Sequence, residues 1–225
     1  MFPLRDSART PGTPFVNYAI IAINLLVFVL EAVMSPRAQE AFIFSYGFIP
    51  REFFSEPLSG ETLTLFTSMF VHGGWLHVIS NMWALFIFGD NIEGRMGHAR
   101  YLLFYLISGV VAALVHGVLA AGSDVPTVGA SGAIAGVMGA YMLLFPHSRI
   151  ITLIPIFFVP WFVEVPALLF IGFWFFSQLF SGVLSLAAGA DAFAPVAWWA
   201  HIGGFAAGFA LATLMARRQT RSVPR

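Results

Sequence analysis

Apolar residues gather in six long stretches, at about 15–34, 72–89, 101–121, 128–146, 164–186 and 195–216. Each is close to the ~20 residues that a helix needs to cross ~30 Å of hydrocarbon. The second is the least apolar of the six. Residues 150–163 are apolar as well, but Pro155 and Pro160 interrupt them and Pro166 follows. Joined to the fifth stretch they would make a run too long for a straight crossing, so the pattern predicts an interfacial or re-entrant piece rather than a seventh span. The run from Phe15 to Met34 is too long for a signal-peptide core and no small-residue cleavage site follows it, so it reads as a retained first span. The expected architecture is all-α and polytopic: six transmembrane helices in one domain over residues 15–216, with tails at 1–14 and 217–225.

Composition agrees with this pattern. A mean hydropathy of +0.84, with 59% hydrophobic and 10% charged residues, lies outside the range of soluble domains. The 25 Phe and 6 Trp suit bundle interiors and membrane interfaces. A net charge of zero recommends neither nucleic acid nor an acidic partner, and the absence of Cys excludes disulfides, thiolate metal sites and a thiol nucleophile.

The charges also orient the chain. All eleven basic residues are Arg, and six spans put nine of them on one side: Arg5, Arg9, Arg95, Arg100, Arg149, Arg217, Arg218, Arg221 and Arg225. Only Arg37 and Arg51 fall on the other. This bias predicts that both termini are cytoplasmic. Spans two, four and six then enter from the outer side. His72 and His77 lie near the outer end of the second span, Asn81 one turn below His77 on the same face, Ser131 in the first turn of the fourth and His201 one to two turns into the sixth.

Polar groups inside a membrane segment are costly unless they pair or act. Ser131 at a helix N-terminus has free backbone N–H groups and the positive end of the helix dipole beside it, a setting that favours developing negative charge. His201 can take the hydroxyl proton as general base, and His77 and Asn81 can donate to an oxyanion. Asp90, Glu93 and Glu164 fall toward the inner side and Asp124 and Asp191 on outer loops, so no carboxylate completes a triad and the expectation is a Ser-His dyad. For the two to meet, the fourth and sixth spans must approach closely. Gly132, Gly136 and Ala140 on one, and Ala200, Gly204, Gly208 and Ala212 on the other, supply small residues at a four-residue period.

The segments His72-Gly73-Gly74-Trp75-Leu76-His77-Val78-Ile79-Ser80-Asn81, Glu93-Gly94-Arg95, Gly129-Ala130-Ser131-Gly132 and Ala200-His201-Ile202-Gly203-Gly204, in this order and on these spans, resemble the rhomboid family of intramembrane serine proteases. The likeness covers roughly residues 15–215. It implies a six-helix bundle open to water on the outer side that cleaves single-span membrane proteins at or near the bilayer, without cofactor or metal. By this resemblance Ser131 is the nucleophile and His201 its base, and His77, Asn81 and the Ser131 backbone form the oxyanion site. Glu93 and Arg95 form an inner-face structural pair, His72 is a second outer histidine, and Gly129, Gly132 and Gly204 support the site. Several family members carry an aromatic residue four positions after the serine, where this chain has Ala135. Trp198 or Phe205, on the face of His201, are the candidates to orient it instead.

The link from Met34 to His72, with Phe42, Phe44, Tyr46, Phe48, Phe53 and Phe54, matches the family's large first loop and is expected to pack on the outer interface. The Phe-rich fifth span reads as lipid-facing. The six-span core, without the extra N-terminal span of the family's mitochondrial branch, implies a bacterial inner membrane, with the active site opening to the outer side. The partners expected are the bilayer and transmembrane protein substrates, with no nucleic acid. Two other classes compete: a catalytically inactive rhomboid-like binder of membrane segments, and a transporter with His72, His77 and His201 as ligands. The second is disfavoured by the lack of a midplane acid or an HExxH pattern.

Overall fold

The computed structural model describes residues 2–9, 12–56, 60–156, 159–188 and 196–217. Arg218, Arg221 and Arg225 of the C-terminal tail, Asp191, and residue 195 at the expected start of the sixth span lie outside them. The helices are α1 (Phe15–Ala32), α2 (Pro36–Tyr46), α3 (Pro50–Ser55), α4 (Thr64–Thr67), α5 (Trp75–Met96), α6 (His98–Leu119), α7 (Ser131–Leu144), α8 (Ala167–Ala188) and α9 (Trp198–Met215). Four of them, α1, α6, α8 and α9, contain stretches long and apolar enough to cross a membrane. The 22-residue α5 carries Asp90, Glu93 and Arg95 in its last two turns. At 14 residues, α7 is only ~21 Å long. The chain before it, expected to be helical from residue 128, is instead a loop.

The expectation of an all-α fold needs correction, because the apolar segment after α7 is a β-hairpin. Strands β2 (Arg149–Ile156) and β3 (Val159–Pro166) pair antiparallel from Arg149↔Pro166 to Ile156↔Val159. Strand β1 (Phe2–Asp6), in what was expected to be a plain tail, pairs with β2 from Phe2↔Leu153 to Asp6↔Ile150. The reason is local: Ile150, Ile151, Thr152, Ile154, Val159, Val163 and Val165 are β-branched and favour extended backbone, while the prolines forbid a continuous helix. Pro155 and Pro160 face each other next to the hairpin tip, where few ladder bonds are lost.

This sheet docks on the bundle through polar contacts. Trp83 Nε1 donates to the Pro3 carbonyl at 2.6 Å, and Asn91 Nδ2 donates to Asp6 Oδ2 at 2.8 Å. The Tyr141 hydroxyl donates to the same Asp6 oxygen. Burial pushes the Asp6 carboxyl above the usual carboxylate range, and the Tyr141 hydrogen bond opposes that only in part. The far end of α9 meets the same side, since Arg217 N–H donates to the Arg95 carbonyl at 2.9 Å.

Tyr101, Phe104 and Tyr105 on α6, Phe88 on α5 and Tyr141 on α7 are fully buried and fill the centre. A polar knot ties α1 to α5 and α6. Tyr101 Oη donates to Asn17 Oδ1 at 2.7 Å, and Asn17 Nδ2 donates to the Leu85 carbonyl at 3.1 Å. Helix α1 has no side-chain cap of its own, its preceding residue being Pro14. The buried Glu93 carboxylate fills that role, accepting from Val16 N–H at 3.0 Å and Asn17 N–H at 2.7 Å, and it also pairs with His98. Glu93 and Arg95 are therefore not the pair that was expected. They lie about 200° apart around one helix, and the Arg95 guanidinium sits over the Phe145 ring, 5.5 Å from its centroid.

Outward faces are apolar. On α8, Phe173, Phe176, Phe180 and Val183 are largely exposed at helical spacing, while Ile171 and Gln178 are buried on the opposite side. The link between α1 and α5 folds into short helices and a 3₁₀ turn at Gly60–Leu63. Within it Phe48 is fully buried and exchanges two backbone hydrogen bonds with Thr127, at 3.0 and 2.8 Å. Arg51 adds an exposed ion pair with Asp124. This link thus holds the loop that leads into α7.

Candidate active site

Helix α7 begins at Ser131 because of what precedes it. Gly129 has φ +117°, a conformation that L side chains rarely adopt, and its N–H donates to the Ser68 carbonyl at 2.8 Å. A Cβ on Gly129 would lie 2.6 Å from His77 Cε1, so this position needs glycine for space as well as for backbone shape. Ala130 N–H approaches His72 Nε2 at 3.5 Å, and His72 N–H in turn donates to both oxygens of Glu31, at 3.2 and 3.3 Å. The turn that presents Ser131 is thus held from the α1 end and from the chain between α4 and α5.

Helices α7 and α9 then meet backbone to backbone. A side chain on Gly204 would strike the Gly132 carbonyl, and one on Gly208 the Gly136 carbonyl. The small-residue stripes read in the sequence are the surfaces in contact. This approach brings Ser131 Oγ to 2.8 Å from His201 Nε2.

Both groups face a cavity of about 1210 Å³ that is also lined by His77, Asn81, Ser68 and Trp198. Asn81 Nδ2 is buried without a hydrogen-bond partner, a costly condition in a folded protein and one that a ligand oxygen would relieve. Beside it are the first N–H groups of α7, which have no carbonyl one turn earlier to bond. His72 is fully buried and packs edge-on against His77, ring centroids 5.0 Å apart. It lies behind the cavity wall, whereas Ser131, His201, His77, Asn81, Gly129 and Gly132 all line it. Glu93 and Arg95 sit at the opposite end of α5. Among the described residues, no group of three His, Cys, Asp or Glu side chains is arranged to hold a metal ion.

The side chain that engages the far edge of His201 is one the sequence did not point to. Gln178 Oε1 on α8 lies 2.7 Å from His201 Nδ1. Trp174, one turn earlier on α8, faces the imidazole with ring centroids 5.9 Å apart, and Trp198 meets it edge-on at 6.3 Å. Phe205, the other expected candidate, stacks on Phe175 instead. The signal available was a lone amide in a Phe-rich span that reads as lipid-facing surface and packing.

The rhomboid domain profile matches residues 59–218, most of the chain. The chain belongs to the rhomboid family. Among its rhomboid relatives, the rhomboid protease GluP of Bacillus subtilis is 30% identical over 138 residues, covering 61% of this chain and 26% of that protein. The mitochondrial presenilin-associated rhomboid-like protein of Homo sapiens is 34% identical over 142 residues, 61% of this chain and 35% of the relative. The mitochondrial rhomboid protein 1 of Saccharomyces cerevisiae is 31% identical over 138 residues, 60% and 38% of the respective lengths. This rhomboid thus spans well under half the length of these relatives.

Proposed function

We propose that this chain is an intramembrane serine endopeptidase that cleaves single-span membrane proteins in the outer half of the bilayer, using Ser131 and His201 as a dyad. The observation that carries this reading is the 2.8 Å contact between Ser131 Oγ and His201 Nε2 at the wall of a large cavity. His201 Nε2 accepts the Ser131 proton as Oγ attacks the scissile carbonyl carbon, and the carbonyl electrons move onto oxygen. The unpartnered Asn81 Nδ2, the His77 ring and the Ser131 backbone N–H receive that charge. The tetrahedral species collapses to an ester as His201 protonates the leaving amine. Water then repeats the sequence, giving its proton to His201 and releasing the new carboxyl end from Ser131.

The membrane topology proposed is six crossings over residues 15–216, with both termini cytoplasmic. Pairing supports it by parity. Strands β1 and β2 are hydrogen-bonded, so an even number of crossings separates them, and α1, α5, α6 and α7 make four. The Arg217–Arg95 contact demands an even number again, met by α6 to α9. The hairpin of β2 and β3 adds none. The short α7 leaves Ser131 below the outer surface, reached through the cavity, where irregular backbone is tolerated because it lines water. Nine Arg on the inner side support this orientation, and the compartment proposed is a bacterial inner membrane.

The test is the purified chain in detergent, treated with a fluorophosphonate probe and, separately, with a single-span membrane substrate. Labelling that requires Ser131, together with substrate cleavage, is the expected result. A folded protein that neither reacts with the probe nor cleaves the substrate would instead be an inactive binder of membrane segments.

A further inference from the structure

Gln178 belongs to a hydrogen-bond chain whose polarity can be worked out from one end. Ser177 Oγ lies 2.6 Å from the Trp174 carbonyl, which can only accept, so the hydroxyl proton points there. Toward Gln178 the same oxygen can therefore only accept. The Gln178 atom 3.0 Å from it must be the amide nitrogen, and this fixes the flip of the side chain. Oε1 is left facing His201 Nδ1 at 2.7 Å, and a carbonyl oxygen cannot bond a bare ring nitrogen. Nδ1 thus carries the proton. In a neutral imidazole Nε2 then holds the lone pair, and it is this atom that lies 2.8 Å from Ser131 Oγ.

From this we propose that Gln178 is the positioning residue for the catalytic base. It holds His201 in the Nδ1–H tautomer and keeps Nε2 aimed at Ser131, the task a buried carboxylate performs in soluble serine proteases. The assignment rests on the dyad reading above. A neutral amide does the job here because a carboxylate at the same depth would have to be stripped of water inside an apolar bundle. Gln178 is buried, so little water competes for its oxygen. Its neighbours keep the imidazole plane in place, Trp174 facing the ring and Trp198 meeting its edge.

The experiment uses the full chain in detergent micelles with ¹⁵N-labelled histidine, the His201 signals being those lost in His201→Ala. Wild type is expected to show His201 mainly as the Nδ1–H tautomer at a pH where the ring is neutral. Gln178→Leu, close in size and without an acceptor, should shift the ring toward Nε2–H and lower kcat on the order of 10- to 100-fold with KM unchanged, less than the ~10⁴-fold seen when a charged partner is replaced. Gln178→Glu, in its neutral acid form, donates its hydroxyl to Ser177 Oγ as the amide does and keeps a carbonyl oxygen toward His201, and should restore the Nδ1–H tautomer and most of kcat. An Nε2–H ring in the wild type, or a Leu variant with tautomer and kcat both unchanged, overturns the proposal. Should the Leu variant fail to fold, the wild-type tautomer and the Glu variant still decide it. A wild type with the Nδ1–H ring but no proteolysis and no probe labelling would sink the dyad reading while leaving the Gln178 contact intact, so the two fail separately.

Discussion

Gly204 on α9 rests its Cα against the backbone carbonyl of Gly132 on α7, with no room for even a methyl group between them. Ser131 immediately precedes Gly132 in the chain, and His201 lies on the same turn of α9 as Gly204. The distance between Ser131 and His201 is therefore set by a glycine contact. Gly204→Val should separate the helices, cost about 1–3 kcal/mol of stability through overpacking, and abolish cleavage. Thermal unfolding and substrate cleavage measured together check this. A variant that keeps full activity would show that the contact does not control the dyad.

Ser131→Ala and His201→Ala should each abolish proteolysis and leave the protein inserted and folded. Because nucleophile and base act as one unit, the double variant should be scarcely worse than either alone. Near-normal cleavage of a transmembrane substrate by Ser131→Ala would end the assignment.

Asn81→Ala should lower kcat about 10-fold or more with little change in KM, since a donor aimed at developing charge acts in the transition state. His77→Ala should follow the same pattern. Steady-state kinetics on both variants separates this from a substrate-binding role, for which KM alone would rise.

Chelation should leave cleavage unchanged. If EDTA removed activity and zinc restored it, His72, His77 and His201 would have to be read as ligands instead.

The Asp6 carboxyl gives a pH prediction at the opposite end of the molecule. Its value in the folded state is raised by burial, so the undocked strand ionises first and ionisation favours undocking. Docking of β1 should be firmest below the ordinary carboxylate range and weaken as pH rises through the raised folded value. Asp6→Asn keeps an oxygen for Tyr141 and Asn91 without the charge, and should flatten this dependence. Hydrogen exchange of the β1 amides, corrected for intrinsic rates, reads it directly.

Much of the candidate site could be read along the chain because its geometry is local. His77 and Asn81 share a face by spacing alone, and the glycines that join α7 to α9 repeat every four residues. The sheet could not be read this way. Residues 150–163 are as apolar as a membrane helix, hydropathy does not distinguish an apolar strand from an apolar helix, and the pairing of Phe2 with Leu153 leaves no local trace. Gln178 was hidden for a related reason: in α8 the lipid-facing and inward-facing sides are both apolar, so nothing but the packed rotation of the helix tells which way a single amide points. Glu93 and Arg95 misled by proximity, since residues two apart on a helix face different neighbours.

The union of β1 with β2 also bears on the order in which the molecule is built. Ser7 Oγ accepts from Arg149 N–H across 142 residues, so during synthesis β1 has no partner until the seven helices α1 to α7 have followed it. Through that interval its backbone groups are satisfied by water, and its closure is a long-range step of high contact order set against the local formation of each helix. A fusion or deletion at the start of the chain should therefore leave insertion of α1, α5, α6 and α7 untouched and disturb only the final tightening of the bundle around Tyr141.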